Sequence, residues 1–421
     1  MAAGEVSVRC CIAGGGPAGM MLGFLLARAG IPVLVLERHA DFLRDFRGDT
    51  IHPSTLEIMN ELDLLAEFLQ RPHQRAPTLA AQIGDSYLEI ADFTHLPTRC
   101  RYIAFMPQWD FLNFIAEQAK RFSAFQLEME AEVTDLIEEE GKVTGVRAAT
   151  PAGGLTVRAD LVIGADGRHS TVREKAGFEI LNLGAPMDVL WMRLSRRSSD
   201  PGQTLGRIDI GRILVMLNRA DYWQCAYVIP KGGFDQVRQR GLAAFRDEIA
   251  RLAPYLRDRM AELSDWSDVK LLSVSVDRMP MWYRPGLVCI GDAAHAMSPI
   301  GGVGINLAIQ DAVAAANILA PRLLEGSIAE RDLRALQRRR AFPTRATQGL
   351  QLFLQNRVIG RVLEATRTPT PPPLVRLLGR WPFLRRFPAR LIGLGFRPEH
   401  ITAPEIINQA QPASTGSVAG V

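Results

Sequence analysis

The sequence predicts an α/β protein: a parallel-sheet domain, a mostly β region set into it, and a helical C-terminal segment. Three observations lead there. A buried-strand run, VSVRCCIA at 6–13, passes through GGGPAG into a helical stretch closed by Gly30, and a second strand, PVLVLE at 32–37, follows at once; connections this short imply a parallel crossover. Two further apolar strands end in Asp166-Gly167 and in Gly291-Asp292. Between them, residues 180–280 carry the strand-like runs LWMRLS, RILVML and YWQCAYVIP, with one helix near 236–263.

The other elements follow in chain order. STLEIMNELDLLAEFL has apolar residues at three- and four-residue spacing, with Ser54 as its expected N-cap. After a turn-rich stretch at 72–100, MPQWDFLNFIAEQAKRF reads as a helix, and EVTDLIEEEGKVTGVRAA as strands with turns at Gly141 and Gly145. Basic helices lie beyond residue 340, then the linker TPTPPP, and a tail without strong structure at 410–421. The expected division is 1–75, 100–178 and 275–340 for the first domain, 179–274 with 76–99 for the β-rich one, 341–409 for the helical region, and 410–421 as a flexible tail.

A chain of 421 residues outgrows a single hydrophobic core. Its net charge of +4 comes without blocks of like charge, which argues against a nucleic-acid partner. Cys10, Cys11, Cys100, Cys225 and Cys289 are odd in number and lack metal-ligand or redox-pair spacing. They suit a reducing, cytoplasmic setting and no metal centre. The apolar run from Cys10 to Leu36 has no basic segment before it and is interrupted by Arg28, Gly30 and Pro32, unlike a signal sequence.

Gly14, Gly16 and Gly19 form G-x-G-x-x-G between a strand and a helix. In that Rossmann-like context the first glycine permits the tight turn, the second lets the backbone approach a pyrophosphate, and the third allows close helix packing. Glu37 ends the second strand, where a carboxylate can accept hydrogen bonds from a ribose. The unit therefore reads as a dinucleotide site. No second glycine fingerprint provides a separate nicotinamide domain.

The fingerprint, the Asp-Gly segment in ADLVIGADGRHSTVR and the Gly-Asp segment in GLVCIGDAAH, in that order, resemble the group A flavoprotein monooxygenases typified by para-hydroxybenzoate hydroxylase. The likeness spans about residues 5–320. It implies a Rossmann-like FAD-binding domain with a mostly β substrate domain and a helical C-terminal segment. It also implies that Glu37 holds the adenosine ribose, that Asp292 holds the ribityl chain of FAD, and that Arg47 and Gln108 lie near the cofactor. Asp166 falls where flavin and nicotinamide are both in reach. Pro299 packs beside the isoalloxazine, and the amides of Ile305 and Asn306 face its N1 and O2 edge, where a helix N-terminus suits the charge of reduced flavin. Pro17, Ala18, Arg38, Val133 and Gly304 complete the implied cofactor set. Each of Arg47 and Gln108 also has a plain surface reading, and His295 reads equally as a satisfied buried histidine or a catalytic one.

The resemblance further implies the chemistry: NADH or NADPH reduces FAD, the reduced flavin takes up dioxygen, and a flavin hydroperoxide hydroxylates a phenol-like aromatic substrate. Alternation in the β region puts Trp191 and Arg193 on one face of their strand, and Trp223, Cys225 and Tyr227 on the face of theirs opposite to Tyr222 and Gln224. Core packing is the expectation for both tryptophans. Arg193 and Gln224 are the substrate-side candidates if they point inward, because a buried polar group needs a partner. The general base is not identifiable; His52 beside Pro53 reads as well as a structural turn. The arginine-rich segment RWPFLRRFPARLIGLGFRPEHI is expected to pack on protein, with a membrane surface as the rarer alternative. The assembly is a monomer or homodimer. Two other readings share these motifs: a halogenase or reductase of the same fold, although W-x-W-x-I-P is absent, and a binding protein that has lost its cofactor.

Overall fold

The computed structural model describes residues 4–43, 50–202, 205–365 and 373–405. The first of its two main sheets has eight strands. At its centre Gly4–Ala13 runs parallel to Gly153–Gly164 on one side and to Val33–Glu37 on the other. Phe125–Met129 extends the sheet beyond Val33–Glu37, and Leu287–Cys289 extends it beyond Gly153–Gly164, both in parallel. Every residue of Val33–Glu37 is buried. A strand covered on both faces needs an unbroken apolar run, and this one has it up to its last residue. The register sets Ala13 beside Leu36 and Gly164, and Gly164 beside Cys289. Four parallel strands thus end side by side, at the edge where open α/β sheets bind ligands.

Helix Pro17–Arg28 crosses back over this sheet, buried from Ala18 to Ala27. Pro17 takes the first helical position, where a missing amide hydrogen has no cost. Two close approaches shape the turn before it. Gly14 sits at φ 104°, where a Cβ would fall 2.4 Å from the Ala165 carbonyl oxygen, and a Cβ on Gly19 would fall 1.9 Å from the carbonyl oxygen of Gly14. Helix Gly304–Glu325 packs alongside and ends at Gly326 in the left-handed region. The segment Ile300–Glu325 is long and apolar enough to cross a membrane, but 72% of its apolar window is buried in the protein, as in a core helix.

The second sheet has seven strands, in the order Lys270–Leu272, Met187–Ser195, Tyr222–Pro230, Arg212–Asn218, Leu205–Asp209, Thr78–Ile83, Ser86–Asp92. One face carries Leu190, Met192, Leu214, Met216, Trp223, Cys225 and Tyr227, and packs with Val237, Phe245 and Ile249 of the helices that follow. The other presents Trp191, Val215 and Leu217 to Ile103, Phe105, Ile392 and Leu394, so this is the face turned toward the first domain.

Two sequence expectations are corrected. The helix expected from Ser54 begins at Pro53 with His52 as N-cap, because proline is pre-organised for the first helical turn, and it closes at Glu61 before Asp63, whose φ is 57°. The single helix near 236–263 is three pieces, Phe234–Gln239, Leu242–Leu252 and a 3₁₀ stretch Pro254–Glu262, separated at Gly241 (φ 87°) and Pro254.

The contacts of Gly19 generate a prediction. Gly19→Ala forces a Cβ against backbone rather than a yielding side chain, so urea unfolding of the apoprotein is expected to show a loss of at least about 2 kcal/mol.

Candidate active site

The loops leaving the four strand ends meet at one edge of the first sheet. Glu37, at the end of its strand, accepts the Gly15 amide at 2.9 Å and the His39 amide at 3.1 Å. Gly16 differs from Gly14 and Gly19. Its backbone is ordinary (φ −74°, ψ −176°), and a Cβ placed on it meets no heavy atom within 4 Å. Nothing inside the protein requires glycine there. The requirement comes from the open space over the helix start, where free amides favour an anion.

Asp292 follows the strand Leu287–Cys289 and accepts a hydrogen bond from Arg168 Nε at 3.1 Å. Arg168 also donates to the Met297 carbonyl at 3.4 Å, and its Nη1 is buried without a hydrogen-bond partner among the described residues. A guanidinium nitrogen in that state calls for an acceptor on a bound group. Asp166 is turned the other way: it accepts Ser170 Oγ at 2.5 Å and the Val172 amide at 3.1 Å, at the start of the short helix Thr171–Lys175. Burial pushes its carboxyl above the usual range, outweighing those hydrogen bonds. Arg173 joins this turn to the Asp292 loop, donating to the carbonyls of Ala293 at 3.0 Å and Arg168 at 2.5 Å.

Beyond half-buried Pro299, Gly301 and Gly302 take φ of 76° and 63°, and a Cβ on Gly302 would fall 2.1 Å from Thr50 Oγ1. The chain then enters helix Gly304–Glu325. Its first amide with an acceptor in the preceding turn is that of Leu307, bonded to Val303 O at 2.9 Å, which leaves Gly304, Ile305 and Asn306 at the positive end of the helix dipole. The Asn306 side chain points inward. Its Oδ1 accepts the His52 amide and Thr55 Oγ1, each at 2.8 Å, and its Nδ2 donates to the carbonyls of Thr50 and Gly302.

Behind the loop lies a buried charge cluster. Asp311, fully buried, accepts the Gly291 amide at 3.0 Å, His295 Nε2 at 2.6 Å and Arg340 Nε at 2.8 Å. Burial pushes the Asp311 carboxyl up, but His295 and Arg340 outweigh it and hold it below the usual carboxylate range. His295 also packs on the Trp282 ring at 5.0 Å. It braces the loop from below. Gln348 and Gln351 of helix Glu330–Leu354 complete the brace, donating to the carbonyls of Asp277, Ala296, Ser298 and Ile300.

The remaining candidates are spread around this frame. Gln108 is the first residue of helix Gln108–Ala119, Val133 is buried in its strand, and Arg38 is exposed. Arg47 lies outside the described residues. Arg193 and Gln224 sit opposite each other in the register, on the face turned to the first domain. Gln224 is buried and accepts Arg219 Nε at 3.1 Å, whereas Arg193 is exposed and stacks 3.9 Å over the Tyr222 ring, so its guanidinium is at the rim. Trp223 is core, its Nε1 donating to Asp200 at 2.9 Å; Trp191 is only partly buried and lies on the inner face. His52 is structural: Nδ1 donates to the Ile392 carbonyl at 2.7 Å, and burial pushes its pKa down to about 4. Sequence reasoning missed Arg168, Arg219 and the glutamines of the bracing helix. For Arg168 a signal existed in its place directly after the Asp-Gly pair.

A glycine turn open to an anion, a carboxylate at the second strand end, and an acid and a helix N-terminus at the last define a dinucleotide-binding flavoprotein fold. Residues 7–349 match the FAD binding domain family, and the chain belongs to it. It is 32% identical over 410 residues to 6-methylpretetramide 4-monooxygenase from Streptomyces rimosus, covering 96% of both chains. It is 31% identical to anhydrotetracycline monooxygenase from Streptomyces rimosus over 72% of this chain and 60% of that one. The fold superposes on p-nitrophenol 4-monooxygenase PnpA from Pseudomonas putida with a TM-score of 0.71, at 19% identity, over 92% of this chain and 97% of that one. The protein is an FAD-dependent aromatic monooxygenase.

Two predictions come from this geometry. Gly16→Ala places a methyl group in open space, so the apoprotein keeps its stability to within about 0.5 kcal/mol while FAD affinity, read by fluorescence titration, drops about ten-fold or more. The second concerns His52. Its folded-state pKa lies below the unfolded value, so the unfolded chain binds a proton that the folded chain refuses, and stability present above pH 6.5 falls as pH drops toward 4. The loss is roughly 3 kcal/mol across that window, and His52→Asn, which can keep the donor to Ile392, flattens it in denaturant melts at stepped pH.

Proposed function

We propose that the enzyme uses NADH or NADPH as electron donor and hydroxylates a phenol-like aromatic substrate related to 6-methylpretetramide, the compound for which its 32%-identical relative is named. The observation that carries the cofactor side is the meeting of four loops at the strand ends around the open face of Gly16 and the Arg168–Asp292 pair. Bound FAD supplies the acceptor for hydride and, once reduced, the means of activating dioxygen.

The chain's own groups hold and orient. The free amides of Ala18 and Gly19 at the helix start would bind the pyrophosphate, Pro17 and Ala18 would line its site, and Glu37 would accept from the adenosine ribose. Arg38, Gln108 and Val133 would flank the cofactor, and Arg47, outside the described residues, is assigned to it by the resemblance alone. Asp292, aimed by Arg168, holds the ribityl chain, and Asp166 fixes the turn that carries Arg168. Pro299 would border the flavin site, and the amides of Gly304, Ile305 and Asn306 would offset negative charge on the reduced cofactor there.

The substrate lies between this edge and the inner face of the second sheet. Trp191, Val215 and Leu217 offer it an apolar wall, and Gln224, which accepts Arg219 Nε, lies on the same face. Asp110, near Arg219 at the start of helix Gln108–Ala119, is pushed up by burial, which supports a partly dehydrated surrounding there.

The purified protein is expected to be yellow, to oxidise NADH or NADPH faster when such a phenol is present, and to place one atom from ¹⁸O₂ in the product by mass spectrometry. Turnover without label in the product would sink the hydroxylase reading. Asp292→Ala is expected to lower FAD affinity about ten-fold or more, the equivalent of about 1.4 kcal/mol.

A further inference from the structure

The C-terminal segment docks on the protein with several of its large apolar side chains left outside. Helix Arg386–Gly393 meets the body through Ala389, Ile392 and Gly393: Ala389 is fully buried, Ile392 packs against the second sheet, and a Cβ on Gly393 would fall 2.8 Å from Leu96 and 3.2 Å from Phe93. Residues four apart share a helix face, whereas residues two positions either side of Ala389 point nearly opposite to it. Those residues are Phe387, 66% exposed, and Leu391, 37% exposed. Phe383, Trp381 and Leu377 continue the exposed apolar surface, with the Trp381 and Phe383 rings edge to face at 5.9 Å. A helix that leaves phenylalanine and leucine exposed, next to an exposed tryptophan and a second phenylalanine, offers apolar area for something outside the fold.

Charge identifies what that is. Between Glu364 and Glu399 the sequence has seven arginines and no aspartate, glutamate or lysine. Arg376, Arg380, Arg386 and Arg390 are exposed among the apolar residues, while Arg385 is engaged by Glu89. A second copy of the chain would bring the same arginines into the contact, and like charges facing each other oppose it. A bilayer with anionic headgroups has the required order, negative charge at the surface and apolar volume just beneath it.

We infer that this face docks on membranes containing anionic phospholipid, with Leu377, Trp381, Phe383, Phe387 and Leu391 entering the headgroup–acyl boundary and the arginines binding the phosphates. The inference is independent of the substrate proposed above.

The test is co-sedimentation of the full-length, flavin-loaded enzyme with vesicles of phosphatidylcholine alone and of an equimolar phosphatidylcholine–phosphatidylglycerol mixture. Binding about ten-fold or more stronger to the mixed vesicles, weakened by added salt, is expected. Trp381→Glu with Phe387→Glu should remove about nine-tenths or more of that binding while the flavin spectrum and melting temperature stay those of the parent. Equal or absent binding to the two vesicle types overturns the inference, whatever acidic protein the face captures. So does binding unaffected by the double substitution, or a concentration-dependent dimer that the substitution abolishes when vesicles are not bound.

Discussion

Burying the carboxylate of Asp311 away from water is tolerable only because the Gly291 amide, His295 and Arg340 all converge on it. Two of the donors belong to the Asp292 loop and the third to the helix behind it. Gly291 opens the Asp292 loop, His295 closes its first turn, and Arg340 reaches from the bracing helix, where it also bonds Glu399 at 3.1 Å. The carboxylate itself rides on the long helix whose N-terminus faces the cofactor edge. The positions of Asp292 and of that helix start are thereby set relative to each other by one charged centre. Removing a single donor would leave charge unbalanced in a dry interior, which is why such a cluster defines one loop geometry rather than several.

With the loop fixed from behind, the working surface can be made largely of main chain. Gly14 and Gly19 are small because protein presses on them; Gly16 is small because nothing does. The helix start offers amides while the Asn306 side chain turns inward to hold Thr50, Thr55, His52 and Gly302. This arrangement suits a cofactor that changes charge during turnover. Fixed dipoles need no reorganisation when negative charge develops, whereas a flexible cation there would move with it.

The same division explains what could be read from the residues alone. Backbone demands leave glycines, prolines and strand-end acids at fixed spacing, so the glycine turn, Glu37 and Asp292 were legible. Demands met by side chains from distant elements leave no local pattern. Gln348 and Gln351 look like ordinary helix-surface residues until they are found on the Ala296 and Ser298 carbonyls of the Asp292 loop. The strand alternation separated Trp191 from Trp223 only within each strand. It took the register, which sets Trp191 beside Ala226 and Leu194 beside Trp223, to show which face each occupies. Ser54 lost the capping position because Pro53 had a stronger preference for the first turn, a contest between two local signals.

Helix Arg386–Gly393 ties the outside of the molecule to its cofactor edge. Its outer side carries Phe387, and its Ile392 carbonyl accepts His52 Nδ1 at 2.7 Å; the His52 amide in turn donates to Asn306 Oδ1 at 2.8 Å, in the first turn of the cofactor-facing helix. Because burial keeps His52 neutral, this link does not depend on a charge that solvent or salt could screen. The helix also packs, through Ile392 and Leu394, against the apolar side of the second sheet on which Trp191 and Leu217 lie. One short element therefore braces the loop edge of the first sheet through His52, packs on the inner face of the second and presents an apolar outer surface. Its small inward residues are what allow the three roles to coexist, since Gly393 lets the backbone come close enough to Phe93 and Leu96 for the Ile392 carbonyl to reach His52.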